Sequence, residues 1–108
     1  MPAPFPLQKK LRYWQRVLNL PDWDIVAEWS KEPLEMEEGT NEIIEENKQS
    51  RIILDKTLRG RTAEIALVHE LLHIPFEFAR NHGVRCDVAL EQGIESVAKA
   101  LVGLERGD

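Results

Sequence analysis

One stretch constrains this chain more than any other: Ile65-Ala-Leu-Val-His-Glu-Leu-Leu-His-Ile74 sets two histidines and a glutamate among apolar residues. The apolar positions read as a helix. Thr62 offers an N-cap, and Glu64 falls in the expected first turn, where a negative charge suits the helix dipole. Pro75 lacks an N–H and its ring clashes with the carbonyl four residues back, so the helix is expected to end or kink there.

His69, Glu70 and His73 form an HExxH pattern. On a helix, histidines four residues apart lie about 40° apart around the axis and one turn apart along it, so both imidazoles reach one ion. Glu70 lies about 100° from His69 and about 60° from His73. That puts it beside a metal rather than on it, where it can hold a water at the metal's open position. Zinc brings the pKa of such a water towards about 7, and the carboxylate takes its proton and passes it to a leaving group. The competing reading is a pair of satisfied core histidines brought together by accident. At this chain's His and Glu frequencies the pattern arises by chance in roughly 1 in 100 such chains, and its helical, apolar setting lowers that further.

Two histidines alone hold zinc loosely, so a third ligand is needed. Asp87 can cap a last helix running from Val88 to about Glu105, with Val88, Ile94, Ala98, Leu101 and Val102 as its apolar face on a helical wheel. Glu91 falls between Ala98 and Val102, where a carboxylate is costly unless paired or bound to a metal. Glu95, one turn on, sits at the edge of that face. Glu91 is therefore favoured as the third ligand and Glu95 as the acceptor for a histidine N–H, with the swapped assignment open. His82 reads as decoration of the Asn81-His-Gly83 turn or, alternatively, as a donor to an oxyanion. Cys86 reads as a small buried residue or, alternatively, as a ligand. Tyr13 is the only phenolic donor, and nothing in the sequence places it near the histidines. Trp14, Trp23 and Trp29 read as core and strand packing.

The rest of the chain is short. At 108 residues, 43% hydrophobic and 31% charged, it suits one compact domain, residues 1–108, with a modest core to which a bound metal adds stability. Residues 1–6, with Pro2, Pro4 and Pro6, read as an extended, mobile tail. Residues 7–19 read as a helix with Leu7, Leu11, Trp14, Val17 and Leu18 at helical spacing, stopped by residues 19–22 with Pro21. Trp23–Trp29 and Arg51–Asp55 read as strands. Between them, residues 31–50 carry seven glutamates against Lys31 and Lys48, with a turn signal at Gly39-Thr-Asn41 and a short strand over residues 42–45. Lys9, Lys10, Arg12 and Arg16 read as the solvated face of the first helix. With a formal net charge of −5 and no strong basic cluster, no nucleic-acid partner is expected. The single cysteine precludes an intrachain disulfide, the start lacks a signal-peptide pattern, and no apolar run is long enough to span a bilayer. A soluble cytoplasmic protein with no membrane partner is the expectation.

These residues resemble the zincin metallopeptidases, and within them the gluzincin branch, in which the HExxH helix is followed by a second helix bearing a Glu-x-x-x-Asp/Glu pattern. Glu91-Gln-Gly-Ile-Glu95 is similar to that pattern, with Glu95 where the branch often has Asp. The metzincin extension is absent, since Phe76 and Ala79 stand where Gly and His are required, and no cysteine precedes the motif as in peptide deformylases. The layout is also similar to the very small zincin-like proteins common in phage and bacterial genomes, specifically over residues 51–102. The resemblance implies an α+β, minimal zincin-like fold: an N-terminal helix, a short and mostly antiparallel sheet, the HExxH helix and a C-terminal ligand helix. It implies zinc on His69, His73 and Glu91, with Glu70 as general acid/base. It also implies a peptide or protein substrate lying along an edge strand, here Arg51–Asp55. Zinc-dependent amide hydrolysis is the expected activity. The alternative is a non-catalytic, metal-binding regulatory or interaction protein that keeps the site, and a further rival is a helical interaction module in which the HELLH sequence is core.

Overall fold

The first helix, α1 (Leu7–Val17), buries Leu7, Leu11 and Trp14 along one stripe and turns Lys9, Arg12 and Arg16 to solvent, as its apolar spacing requires. Val17, in its last turn, is 48% exposed. The helix stops where Asn19 adopts a left-handed conformation (φ 59°), one that asparagine tolerates better than most residues. The computed structural model describes residues 4–35, 37–81 and 87–107, the side chains of 77–81 and 87 excepted. In the proline-rich segment expected to be a mobile tail, Phe5 is buried and meets the Trp29 ring edge-on at 6.3 Å. Burying a phenyl ring stabilises by about 1.5–3 kcal/mol, enough to anchor the end of such a segment.

Three strands follow: β1 (Asp24–Trp29), β2 (Gly39–Ile44) and β3 (Gln49–Leu54), in the order β1-β3-β2. Ile25 and Ala27 on β1, and Ser50, Ile52 and Leu54 on β3, point inward, while Val26 and Arg51 face out, the period-two alternation of a sheet covered on one side. β2 and β3 are antiparallel, joined through a 3-10 turn (Glu45–Asn47) and a left-handed Lys48. β1 pairs with β3 in parallel, so the sheet is mixed rather than mostly antiparallel. β3 has neighbours on both sides and cannot be the edge strand expected at Arg51–Asp55; the edges are β1 and β2.

Gly39-Thr40-Asn41 opens β2 and is not a turn. Gly39 serves close approach: a Cβ there would stand 2.8 Å from Leu54 Cδ2, 3.2 Å from the Ile53 carbonyl and 3.3 Å from Glu70 Cγ. After β3, Asp55 Oδ1 accepts bonds from the Thr57 N–H and hydroxyl, both 2.9 Å, and this turn delivers the chain into α2 (Gly60–Asn81). The Thr57 N–H bond holds the Asp55 carboxyl below the usual range.

α2 packs against α1, β2, β3 and a last helix, α3 (Asp87–Arg106), and is accordingly apolar around most of its circumference. Ala63, Ala66, Leu67, Val68, Leu71, Leu72 and Ile74 are all buried. It starts two residues before the expected Thr62 cap, and Glu64 lies beyond its first turn, fully buried. Pro75 does not end it. The proline sits on the exposed side, and the buried residues on either face of α2 hold the helix through the one bond that the missing N–H removes. On α3, Ile94, Ala98 and Val102 are fully buried as the wheel requires, but Val88, assigned to the same face, is 70% exposed. The fold is thus α+β, three helices with a three-stranded sheet, and among the described residues no helix is long and apolar enough to cross a membrane.

Candidate metal centre

α2 and α3 run antiparallel, since Glu64 meets Arg106 at one end while His73 meets Glu91 at the other. This brings the HExxH residues opposite the first turns of α3. Glu91 spans the two histidines: Oε2 is 3.1 Å from His69 Nε2 and Oε1 is 2.8 Å from His73 Nε2. The imidazole rings are 5.2 Å apart. Glu95 Oε1 lies 3.2 Å from His69 Nδ1, on the far side of that ring.

The geometry sets Glu91 against both Nε2 atoms and Glu95 behind the His69 ring, but burial in the apolar face is not the reason. Glu91 is not sunk in an apolar face: its side chain is 50% exposed against 38% for Glu95. It reaches both Nε2 atoms because its place along α3 sets it between His69 and His73, one turn nearer the start of the helix than Glu95.

The chemistry of these donors fits a cation. A neutral imidazole has one N–H and one lone pair. If His69 Nδ1–H donates to Glu95, its Nε2 lone pair faces a carboxylate oxygen of Glu91 at 3.1 Å, acceptor against acceptor. A metal ion between them removes that conflict, and a second carboxylate fixing the tautomer from behind is the usual support for a metal-binding histidine. One ligand atom from each of His69, His73 and Glu91 lies within 4.8 Å of the others. Two nitrogens and a carboxylate oxygen are a donor set that zinc accepts.

Glu70 stands beside this cluster. It is 8% exposed, lines the groove, and its carboxylate accepts no hydrogen bond among the described residues. Burial raises its pKa to about 7, against the lowering effect of His69, and the charges of Glu91, Glu37 and Glu95 push it the same way as burial. Its backbone is held in place: Asn41 Nδ2 donates to the Glu70 carbonyl at 2.7 Å, and Ser50 Oγ donates to the other end of the same amide at 2.6 Å. Asn41 and Gly39 thus fit β2 against α2 at the site. Their sequence signal, Gly-Thr-Asn, is that of a turn, and it conceals this role.

Between β2, α2 and the start of α3 runs an open groove of about 1090 Å³, with His69, Glu70, His73, Glu91 and Glu95 on one wall and β2 on the other. Tyr13 is not in it; its hydroxyl donates to Glu105 near the opposite end of α3. Trp14 is core, and Trp23 and Trp29 pack against the core, as expected. His82, considered as an oxyanion donor, and Cys86, considered as a ligand, lie outside the described residues. Comparison with family models, with curated proteins and with solved structures finds no match to this chain.

Proposed function

We propose that this protein is a zinc-dependent metallohydrolase, a peptidase of the HExxH type, with His69, His73 and Glu91 as zinc ligands and Glu70 as general acid/base. The observation that carries the reading is the convergence of two Nε2 atoms and one carboxylate beside a buried Glu70 whose carboxylate has no hydrogen-bond donor among the described residues. When bound, zinc supplies Lewis acidity for the scissile carbonyl and an activated water. Glu95 accepts a hydrogen bond from the His69 Nδ1–H and so keeps Nε2 free as a ligand. The Glu70 carboxylate takes a proton from the attacking water and delivers it to the leaving nitrogen. Its place on the groove wall beside His69 and His73 suits the task. A site that served only structure has no use for such a group, which disfavours the non-catalytic alternative.

The substrate backbone is assigned to β2 rather than to Arg51–Asp55. β2 is an edge strand and faces the histidines across the groove. An extended peptide added to that edge passes its amide bonds before Glu70.

Purified without chelator, the protein should carry about one zinc per chain, and His69→Ala and His73→Ala should each abolish tight binding. Glu91→Gln should weaken zinc steeply, whereas Glu95→Gln should cost about 10- to 100-fold. Zinc competition titrations read all four variants. Metal content near zero after incubation with excess zinc overturns the proposal, and a larger loss for Glu95→Gln than for Glu91→Gln reverses their roles.

A further inference from the structure

Seven glutamates line the groove, and among the described residues no lysine or arginine does. Glu70, Glu91 and Glu95 belong with the histidines. Glu37 and Glu38 lie at one end of β2 and Glu46 at the other, all exposed and in no ion pair among the described residues. The nearby cations are engaged elsewhere: Lys48 pairs with Asp22 and Arg51 with Glu28. Independently of these carboxylates, Glu70, 8% exposed, lines the same groove, and its carboxylate accepts no hydrogen bond among the described residues, a position that a bound molecule completes.

The backbone adds a third element. The bond from the Asp55 N–H to the Glu38 carbonyl (2.9 Å) sets the phase of the β2–β3 ladder. Residues 38, 40, 42 and 44 bond to β3, so the N–H and C=O groups of Gly39, Asn41 and Ile43 turn to the free edge. A six-residue strand spans about 20 Å, with surplus negative charge at both ends of it.

We propose that the groove selects an extended basic peptide, paired to the free edge of β2, with Lys or Arg side chains about six residues apart received by Glu37 and Glu38 at one end and by Glu46 at the other. This names the substrate class of the site and rests on the hydrolase reading for its chemistry, though not for its binding. Arg suits the exposed carboxylates better than Lys because its planar fork makes two parallel bonds. Opposed charges near 4 Å at a protein surface are worth roughly a tenfold preference or more over a neutral peptide at low salt, and the preference shrinks as the Debye length falls from about 10 Å to a few ångströms.

The test uses zinc-loaded protein carrying Glu70→Gln, so that bound peptides stay intact. Fluorescein-labelled ten-residue peptides, alike except for Arg, Gln or Glu at two positions six apart, are titrated by fluorescence anisotropy at about 0.05 and 0.5 M salt. The proposal expects the Arg peptide to bind at least about tenfold tighter than the Gln peptide at low salt, the Glu peptide to bind weakest, and the order to compress at high salt. Glu37→Lys with Glu38→Lys, and separately Glu46→Lys, should each remove the advantage of the Arg at one end only. Equal affinity for the Arg and Gln peptides, or indifference to both charge reversals, overturns it. If a reversal variant does not fold, the salt dependence on unreversed protein decides the same question. Wild-type protein and the same peptides separate the two readings. Arg-selective binding without cleavage leaves this inference standing and removes the hydrolase, whereas cleavage with no charge preference does the opposite.

Discussion

Glu64 and Glu70 stand six residues apart on the same helix, both almost wholly out of solvent, and their surroundings are opposite. Glu64, fully buried, accepts from Trp14 Nε1 at 2.7 Å and from two Arg106 nitrogens at 2.8 Å, with Lys10 Nζ at 3.3 Å. Those partners come from α1 and α3, so a single carboxylate ties three helices together. Glu70 lines the wall of a groove and has no donor among the described residues. Buried charge with every acceptor filled is architecture; buried charge left open is a place for chemistry, since folding alone gives no reason to bear that cost.

The largest effect expected from this contrast is on rate. Glu70→Gln should lower peptide hydrolysis by about 10²- to 10⁴-fold, the range general acid–base groups supply, while zinc stays near one per chain. Glu64→Gln, assayed per folded molecule, should leave the chemical step within a few-fold, because the residue touches nothing in the groove. Comparable rate losses in the two variants break the contrast.

Next comes stability. Glu64→Ala strands Arg106 and the Trp14 N–H, and removing one member of a buried ion pair costs about 3–5 kcal/mol. With Arg106 and Lys10 about a third exposed and able to find water, the low end applies, about 3 kcal/mol. Glu70→Gln should leave metal-free stability unchanged or raised, since it withdraws an unpartnered charge. Urea unfolding of both variants in chelator gives the comparison directly.

What the sequence made legible follows the same division. HExxH is a local pattern, and four-residue spacing on a helix places His69, Glu70 and His73 without help from the fold. Glu91 and Glu95 needed only a second amphipathic helix, although the wheel overrated the burial of Glu91 and placed the exposed Val88 on the core face. Glu64 was legible only as a helix-dipole residue, because its true partners lie 42 to 54 positions away in sequence and no local signal announces them. Gly39 and Asn41 mislead for a related reason. Gly-Thr-Asn has turn chemistry, whereas its use here is steric and directed at Glu70, a contact between distant segments. The mixed sheet likewise depends on β1 choosing β3 over β2, a choice written in pairing rather than in strand composition.

A smaller effect lies in pH. With a folded pKa of about 7 against 4.5, Glu70 in metal-free protein is protonated in both states below about pH 4.5. Between 4.5 and 7 the unfolded chain releases the proton and the folded chain keeps it, so stability falls as pH rises through that window, by about 3 kcal/mol in all. Glu70→Gln should lack this fall. Thermal or urea unfolding of the two proteins from pH 4.5 to 8 in chelator should show curves that diverge with rising pH, and parallel curves would mean that Glu70 has a donor after all.

The smallest expected effect asks which of its partners makes Glu64 satisfied. Lys10 is the loosest of them: its ammonium is 3.3 Å away, 28% exposed, and also 6.0 Å from the Tyr13 ring. Water competes for such a group, so Lys10→Met should cost about 0.5 kcal/mol, with the methionine keeping most of the apolar stem's packing. Arg106→Gln removes two charge-assisted bonds at 2.8 Å and should cost about 1.5–3 kcal/mol. If hydrogen bonding governs the cluster, the two costs stay unequal in high salt, because the short Arg106 bonds are screened little. If net charge governs, Lys10→Met and Arg106→Gln converge as salt is added, and Glu64 is then held by neutralisation rather than by geometry. Urea titrations of both variants at about 0.05 and 0.5 M salt separate these outcomes.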